Sequence, residues 1–127
     1  MKKQDLPLSP HLQIYKPQIT SLLSISHRIS GVALNFMLVI LVLGLLCITL
    51  GESYFELLIS LITSFPVKII IFLAILGFSY HFLNGIRHII WDFGFLLGNR
   101  SSAIFGYIII ATSFFSSIFI SRLLGLF

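Results

Sequence analysis

Residues 29–51 read ISGVALNFMLVILVLGLLCITLG and contain no charged side chain. An α-helix needs roughly 20 residues to cross the hydrocarbon core of a bilayer, and this stretch provides 23. Backbone groups in lipid must be paired within the spanning structure, and the period-two alternation typical of barrel strands is absent. The stretch therefore predicts a transmembrane helix.

Two further segments have the same character. Residues 101–121 are uncharged, and residues 69–86 are uncharged apart from His81, with Lys68 and Arg87 on either side. Extending this middle segment from Pro66 to Trp91 makes it long enough to span. The sequence predicts an all-α integral membrane protein: an extended N-terminal tail over 1–19, then a three-helix membrane domain over 20–127, with helices over about 20–50, 65–91 and 101–124.

Composition supports a lipid environment. Apolar residues make up 57% of the chain and charged residues 9%, whereas soluble domains carry roughly 25% charged residues. A chain of 127 residues cannot hide so much apolar surface from water. The net charge of +4 does not indicate nucleic-acid binding, because the basic residues stand singly at the edges of apolar segments. The single cysteine, Cys47, allows no internal disulfide.

The basic residues also predict orientation. Six of the eight are expected on one side of the membrane, namely Lys2, Lys3, Lys16, Arg28, Arg87 and Arg100, while Lys68 and Arg122 fall on the other. The positive-inside rule puts the N-terminus in the cytoplasm or matrix and the C-terminus outside. Residues 1–18 resemble neither a secretory signal nor a transit peptide. We therefore expect a chain that is bacterial, encoded in an organelle or already processed.

His81 is the first candidate for chemistry. An ionisable group inside a span is costly and usually functional, and neutral imidazole is a common haem iron ligand. At 100° per residue, Gly85, His88 and Asp92 fall close to the helical line through His81, and glycine one turn away would leave room for a porphyrin. A histidine hydrogen-bonded to a neighbouring helix is the alternative, and from these residues alone both interpretations stay open.

A second candidate lies where the first span begins. Ser24 and Arg28 are four residues apart, hence on one helix face, and could bind the carbonyl head group of a quinone. An arginine snorkelling to lipid phosphates is an equally open interpretation. Arg87 points about 120° away from His81 and is predicted to face lipid phosphates or another subunit. Asp92 could form a surface ion pair or relay protons.

Three motifs carry a family resemblance. PLSPHLQIY at 7–15, SISHRISG at 24–31 and HFLNGIRH at 81–88, the last followed by Trp91 and Asp92, resemble in order and spacing the motifs of the cytochrome b membrane subunits of succinate dehydrogenase. The third motif has the form H-x-x-x-G-x-R-H. The resemblance covers about residues 7–94, and the third span matches only in being apolar.

The resemblance implies a set of roles. The family packs against a second small membrane anchor subunit, shares one haem b with it, and works with an iron–sulfur subunit and a flavoprotein subunit that oxidises succinate. His81 matches the axial haem ligand; His27, Arg28, Gly85 and His88 match the haem vicinity or its propionates. Ser24 and Arg28 match the ubiquinone site, and Asp92 is a candidate for a proton path. The chain would then be an enzyme subunit without activity by itself, in the bacterial or mitochondrial inner membrane.

Other functions stay open from sequence. Within the family, a quinol:fumarate reductase anchor would run the chemistry in reverse. Outside it, a small transporter subunit could use His81 as a proton relay, and a purely structural membrane subunit would need no site. Neither of these last two classes would give a haem spectrum.

Overall fold

The fold is a bundle of helices, seen in a computed structural model that describes residues 16–127. The helices are α1 (Ile19–Thr49), α2 (Glu52–Thr63), α3 (Phe65–Asp92) and α4 (Asn99–Leu123). Three of them, α1, α3 and α4, are long and apolar enough to cross a membrane. No strand occurs within residues 16–127. The predicted all-α fold with three spanning helices is confirmed, while residues 1–15 of the predicted tail lie outside the described residues.

The short helix α2 was not foreseen. It occupies the connection between the first two spans, carries Glu52 in its first turn and has no buried residue. Gly51, with φ of 111°, makes the turn from α1 into α2 in a conformation that residues with a Cβ rarely adopt. The predicted helices over about 20–50 and 65–91 leave this segment as a connection, because a helix of 12 residues gives a weak periodic signal.

Local signals explain the ends of α3. Pro66 lies in its first turn, where the missing N–H costs nothing. At the other end Gly94 has φ of 81°, and the N–H of Phe95 donates to the carbonyl of Ile90 at 3.2 Å. This is the Schellman arrangement that closes many helices. It ends α3 immediately after Asp92 and turns the chain toward α4.

The α3–α4 pair forms the most closely packed part of the bundle. Residues three or four apart on α4 are buried along one face, and all of them except Ile109 are small: Ser102, Gly106, Ile109, Ser113, Ser117 and Ser121. Small residues let helix backbones approach closely in a membrane, where apolar side chains gain nothing by leaving lipid. Phe72 contacts Phe127 with ring centroids 6.2 Å apart, while Arg87 bonds to Ser102, so α3 and α4 run antiparallel.

Apolar side chains face outward instead of forming a core. Only Leu23, Ile109 and Leu126 are buried apolar residues within 16–127. In α1 the most apolar stretch of 18 residues contains no buried residue. A water-soluble protein would show the reverse distribution. This surface suits contact with lipid and partner helices. Because few apolar side chains are buried, contacts between polar side chains determine where the helices meet.

Candidate functional site

The start of α1 meets the second half of α3. Three imidazoles lie together at this crossing. The ring centroid of His27 is 4.0 Å from that of His81 and 5.2 Å from that of His88, with the latter pair stacked. These three residues are called the imidazole cluster below. His81 and His88 are seven residues apart on α3, hence on one face, and His27 packs against both.

The ring of His81 is held on one side by α1. Its Nδ1 lies 3.1 Å from the carbonyl oxygen of His27 and 3.1 Å from Oγ of Ser30. A carbonyl can only accept, so the contact with His27 is a hydrogen bond when Nδ1 carries the proton; the Ser30 hydroxyl donates to the same carbonyl at 2.8 Å. That tautomer would leave Nε2 with a free lone pair, the form in which histidine binds metals.

Gly31 permits the close approach of the His81 ring to α1. A Cβ at Gly31 would lie 2.9 Å from Cε1 of His81, a separation that ordinary packing does not allow. At Gly85, by contrast, a Cβ would meet nothing within 4 Å, so the chain leaves open space beside the helical line of His81. Ser30 and Gly31 were not assigned a role from sequence. The signal was present, since both belong to the SISHRISG motif, but only the packing reveals their contact.

The second part of the site is a groove on α1. Its lining consists of Thr20, Ser21, Ser24, Ile25 and Arg28, all from this helix, and it is called the α1 groove below. The predicted sharing of a face by Ser24 and Arg28 is seen here. One residue beyond His27, Arg28 points about 100° away from it, and no hydrogen bond or ring contact of residues 16–127 joins Arg28 to the imidazole cluster. Within residues 16–127, the chain therefore supplies one wall of this groove and no opposite wall.

Arg87 lies elsewhere than predicted. Its side chain is 1% exposed and reaches α4, where Nη2 donates to Oγ of Ser102 at 2.8 Å and to its carbonyl at 3.1 Å. The prediction that Arg87 faces lipid phosphates or another subunit is wrong. The helical angle away from His81 was correct, but sequence could not show that small residues bring α4 against that face of α3.

Asp92 is exposed at the last position of α3. Among residues 16–127 no cation lies within ion-pair distance of it, and it makes no contact with the imidazole cluster. Its suggested part in a proton path stays a prediction. No group of three or more His, Cys, Asp or Glu side chains in the described part of the chain could hold a bare metal ion. The cluster suits a ligand that needs one imidazole from this chain, not a metal ion enclosed by it.

Three long helices and an imidazole cluster between two of them define a small integral membrane protein with a polar site inside its spanning region. The family model described as "Succinate dehydrogenase/Fumarate reductase transmembrane subunit" matches residues 2–120. The chain belongs to this family. The match includes the third span, where the motifs alone had shown only apolar character.

Individual relatives agree with the family. The chain is 42% identical over 107 residues to the succinate dehydrogenase cytochrome b556 subunit of Rickettsia typhi, covering 84% of this chain and 83% of the relative. It is 44% identical over 104 residues to the cytochrome b560 subunit of Chondrus crispus, covering 76% and 78%. The cytochrome b560 subunit of Marchantia polymorpha is 44% identical over 101 residues, covering 75% and 73%.

Proposed function

We propose that this chain is a membrane anchor subunit of succinate:ubiquinone oxidoreductase, which holds haem b with a second anchor subunit and forms part of the ubiquinone site. The named relatives are succinate dehydrogenase subunits, which favours succinate oxidation over fumarate reduction as the physiological direction. The observation that carries the proposal is the 3.1 Å contact of His81 Nδ1 with the His27 carbonyl of α1, which favours a proton on Nδ1 and leaves Nε2 for iron.

The residues present fit a b-type haem. His81 would hold the iron through Nε2, with its ring oriented by the His27 carbonyl as in many metal-binding histidines. The open space beside Gly85 would leave room for the haem, and the second anchor subunit would supply the other ligand. Nε2 of His27 is buried with no hydrogen-bond partner among the described residues, and it could pair with a propionate. When bound, the haem supplies a one-electron redox centre within the membrane.

The α1 groove is the proposed wall of the ubiquinone site. Arg28 is permanently charged and can donate to a quinone carbonyl, which stabilises negative charge that develops as the ring is reduced. Ser24, one turn away on the same face, adds a hydroxyl donor. Electrons would come from the iron–sulfur subunit, and protons from water at the same face. Ubiquinone takes up two of each and leaves as ubiquinol, while the flavoprotein subunit converts succinate to fumarate.

A haem spectrum tests the proposal. We expect His81→Ala, in the complete complex purified from membranes, to remove or strongly shift the b-type reduced-minus-oxidised difference spectrum. His11→Ala is the matched control, because this residue lies in the predicted tail, and it should leave the spectrum unchanged. A wild-type spectrum and midpoint potential in the His81 variant would exclude His81 as the ligand. A complex with no haem absorbance at all would favour the transporter or purely structural alternatives.

A further inference from the structure

The third span carries no residue of the proposed site, yet side-chain contacts connect it to the imidazole cluster. Ser102 of α4 accepts a hydrogen bond from Arg87 of α3 at 2.8 Å. The guanidinium carbon of Arg87 lies 4.1 Å from the ring centroid of Trp91. Trp91 meets His88 edge to face, with centroids 5.1 Å apart. The ring of His88 then stacks on His27.

The contact between His88 and His27 connects this series of contacts to His81, the proposed haem ligand. His27 lies between His88 and His81, and its own carbonyl lies 3.1 Å from Nδ1 of His81. Movement of the His88 ring would therefore displace the ring of His27. His27 packs against the ring of His81, the proposed ligand, and its carbonyl contacts Nδ1 of that ring. Each contact in the series joins rings or charged groups with defined preferred geometry.

Burial makes the position of Arg87 costly unless its contacts serve a purpose. Its side chain is 1% exposed, and none of its hydrogen bonds within residues 16–127 goes to a carboxylate. Two bonds go to Ser102 and a long one, at 3.4 Å, to Asn84. An arginine that only oriented the helix would extend its charge to the membrane surface. This arginine instead has its guanidinium carbon over the ring of Trp91, which in turn contacts His88.

The geometry requires arginine specifically. Nη2 donates to both oxygens of Ser102, Nη1 donates to Asn84, and the guanidinium carbon lies over the Trp91 ring at the same time. A lysine ammonium keeps the charge but has no second nitrogen for Asn84 and no planar group to place over the indole. For Trp91 the requirement is different, because its Nε1 is buried without a partner among the described residues. Its ring, not its N–H, makes the contacts.

We propose that Arg87 and Trp91 are positioning residues for the imidazole cluster. Through the hydrogen bond from Arg87 to Ser102, they hold the cluster in a defined position relative to α4. The inference rests on the proposed function, since the haem is the group for which the cluster is positioned. Two simpler roles predict different results. A pure field effect of the Arg87 charge depends on charge alone, and a folding clamp between α3 and α4 changes the yield of the complex but not the haem environment.

The test uses the complete complex purified from membranes, with haem content, midpoint potential and the electron paramagnetic resonance signal of the oxidised haem measured per assembled complex. The variants are Arg87→Lys, Arg87→Met, Trp91→Leu and Trp91→Phe. Arg100→Met is the control, an exposed arginine in the first turn of α4. His81→Ala is measured beside them. Ser102→Ala provides a milder change should an Arg87 variant fail to assemble.

We expect Arg87→Lys, Arg87→Met and Trp91→Leu to shift the resonance signal and the potential in the same direction. Combining Arg87→Met with Trp91→Leu should shift them little further, since residues in one contact series are not additive. Trp91→Phe keeps an aromatic face and should retain most of the wild-type signal. Ser102→Ala should give a smaller shift of the same sign, and Arg100→Met none.

Four outcomes overturn the inference. A wild-type signal in Arg87→Lys beside a shifted one in Arg87→Met would assign the effect to charge alone. Lower yield with an unchanged signal in Arg87→Met, Trp91→Leu and Ser102→Ala would leave only a folding clamp. An unchanged His81→Ala spectrum would exclude His81 as the haem ligand and remove this inference with it, whereas a changed one beside unshifted Arg87 and Trp91 variants removes this inference alone.

Discussion

At the scale of single residues, the site depends on what lies next to each imidazole. His81 is ordinary in chemistry, and its neighbours Ser30 and Gly31 contact its ring and confine its position. The carbonyl of His27 contributes as much as its ring. A histidine inside a span can be recognised as functional from its burial cost, but its protonation and direction come from such contacts.

Substituting Gly31 tests that close contact. In Gly31→Ala the new methyl group would lie 2.9 Å from Cε1 of His81, so the imidazole must move by a few tenths of an ångström. We expect the haem to be retained with a shifted potential and spectrum. Gly44→Ala on the same helix is the control, since its Cβ would lie at an ordinary 3.7 Å from Leu58. Identical spectra for the two variants would show that Gly31 does not confine His81.

Arg28 tests the α1 groove. Hydrogen bonds to charged groups are worth roughly 1.5–3 kcal/mol, so Arg28→Leu should lower ubiquinone reduction on the order of 10–100-fold. Ser24→Ala should cost less, because a neutral hydrogen bond is weaker. Succinate oxidation with a soluble dye that takes electrons before the quinone is the control and should survive in both. Equal loss of dye and quinone activity would mean that Arg28 supports assembly instead.

At the scale of helices, one glycine sets the approach of three of them. Gly106 of α4 is buried, and a Cβ there would lie 2.3 Å from a methyl carbon of Leu23 and 3.9 Å from Nη2 of Arg87. Tyr80 of α3 donates to the carbonyl of Leu23 at 2.7 Å. Helices α1, α3 and α4 therefore meet at this point, one side of which holds Arg87.

Enlarging Gly106 should separate these helices. We expect Gly106→Ala to destabilise the complex by about 1–3 kcal/mol, because Leu23 is buried and has little room to move. The measurement is the thermal unfolding midpoint of the purified complex. Gly77→Ala on α3 is the control, since nothing lies within 4 Å of its Cβ, and the added methyl should be neutral or mildly stabilising. Equal midpoints for both variants would contradict the three-helix junction.

At the scale of the whole molecule, the chain exposes an apolar surface that suits contact with lipid and partner subunits. Helix α1 has 31 residues, or about 46 Å, which exceeds a hydrocarbon core of about 30 Å. Tilt or extension into the head-group region absorbs the excess. The polar first turns of α1 are consistent with extension there, and they bring the α1 groove to the membrane surface.

The positive-inside rule makes a prediction about this whole arrangement. With six of eight basic residues assigned to one side, we expect a tag after Phe127 to be accessible from the periplasm or intermembrane space. A tag before Met1 is the matched control and should be accessible only from the cytoplasm or matrix. Accessibility of both tags from one side would be incompatible with three spans.

The membrane class and the three spanning helices follow from the sequence alone, and the candidate residues His81, Ser24 and Arg28 were selected from it. These properties depend on the length and polarity of continuous segments and on motifs of local spacing, which act within one helix. Ser30 and Gly31 belong to the same motif, but their contact with His81 depends on packing between two helices.

Only the tertiary structure decided how α4 takes part and which way the buried groups face. The small residues of α4 gave a weak signal, since serine and glycine are common in any span, and they gain meaning only against the face of α3 that they contact. Arg87 illustrates the difference. Its charge suggested a position at the membrane surface. In the structure, close packing of α3 and α4 places it against Ser102 and Trp91 instead. Contacts between distant segments cannot be predicted from the local pattern of either segment.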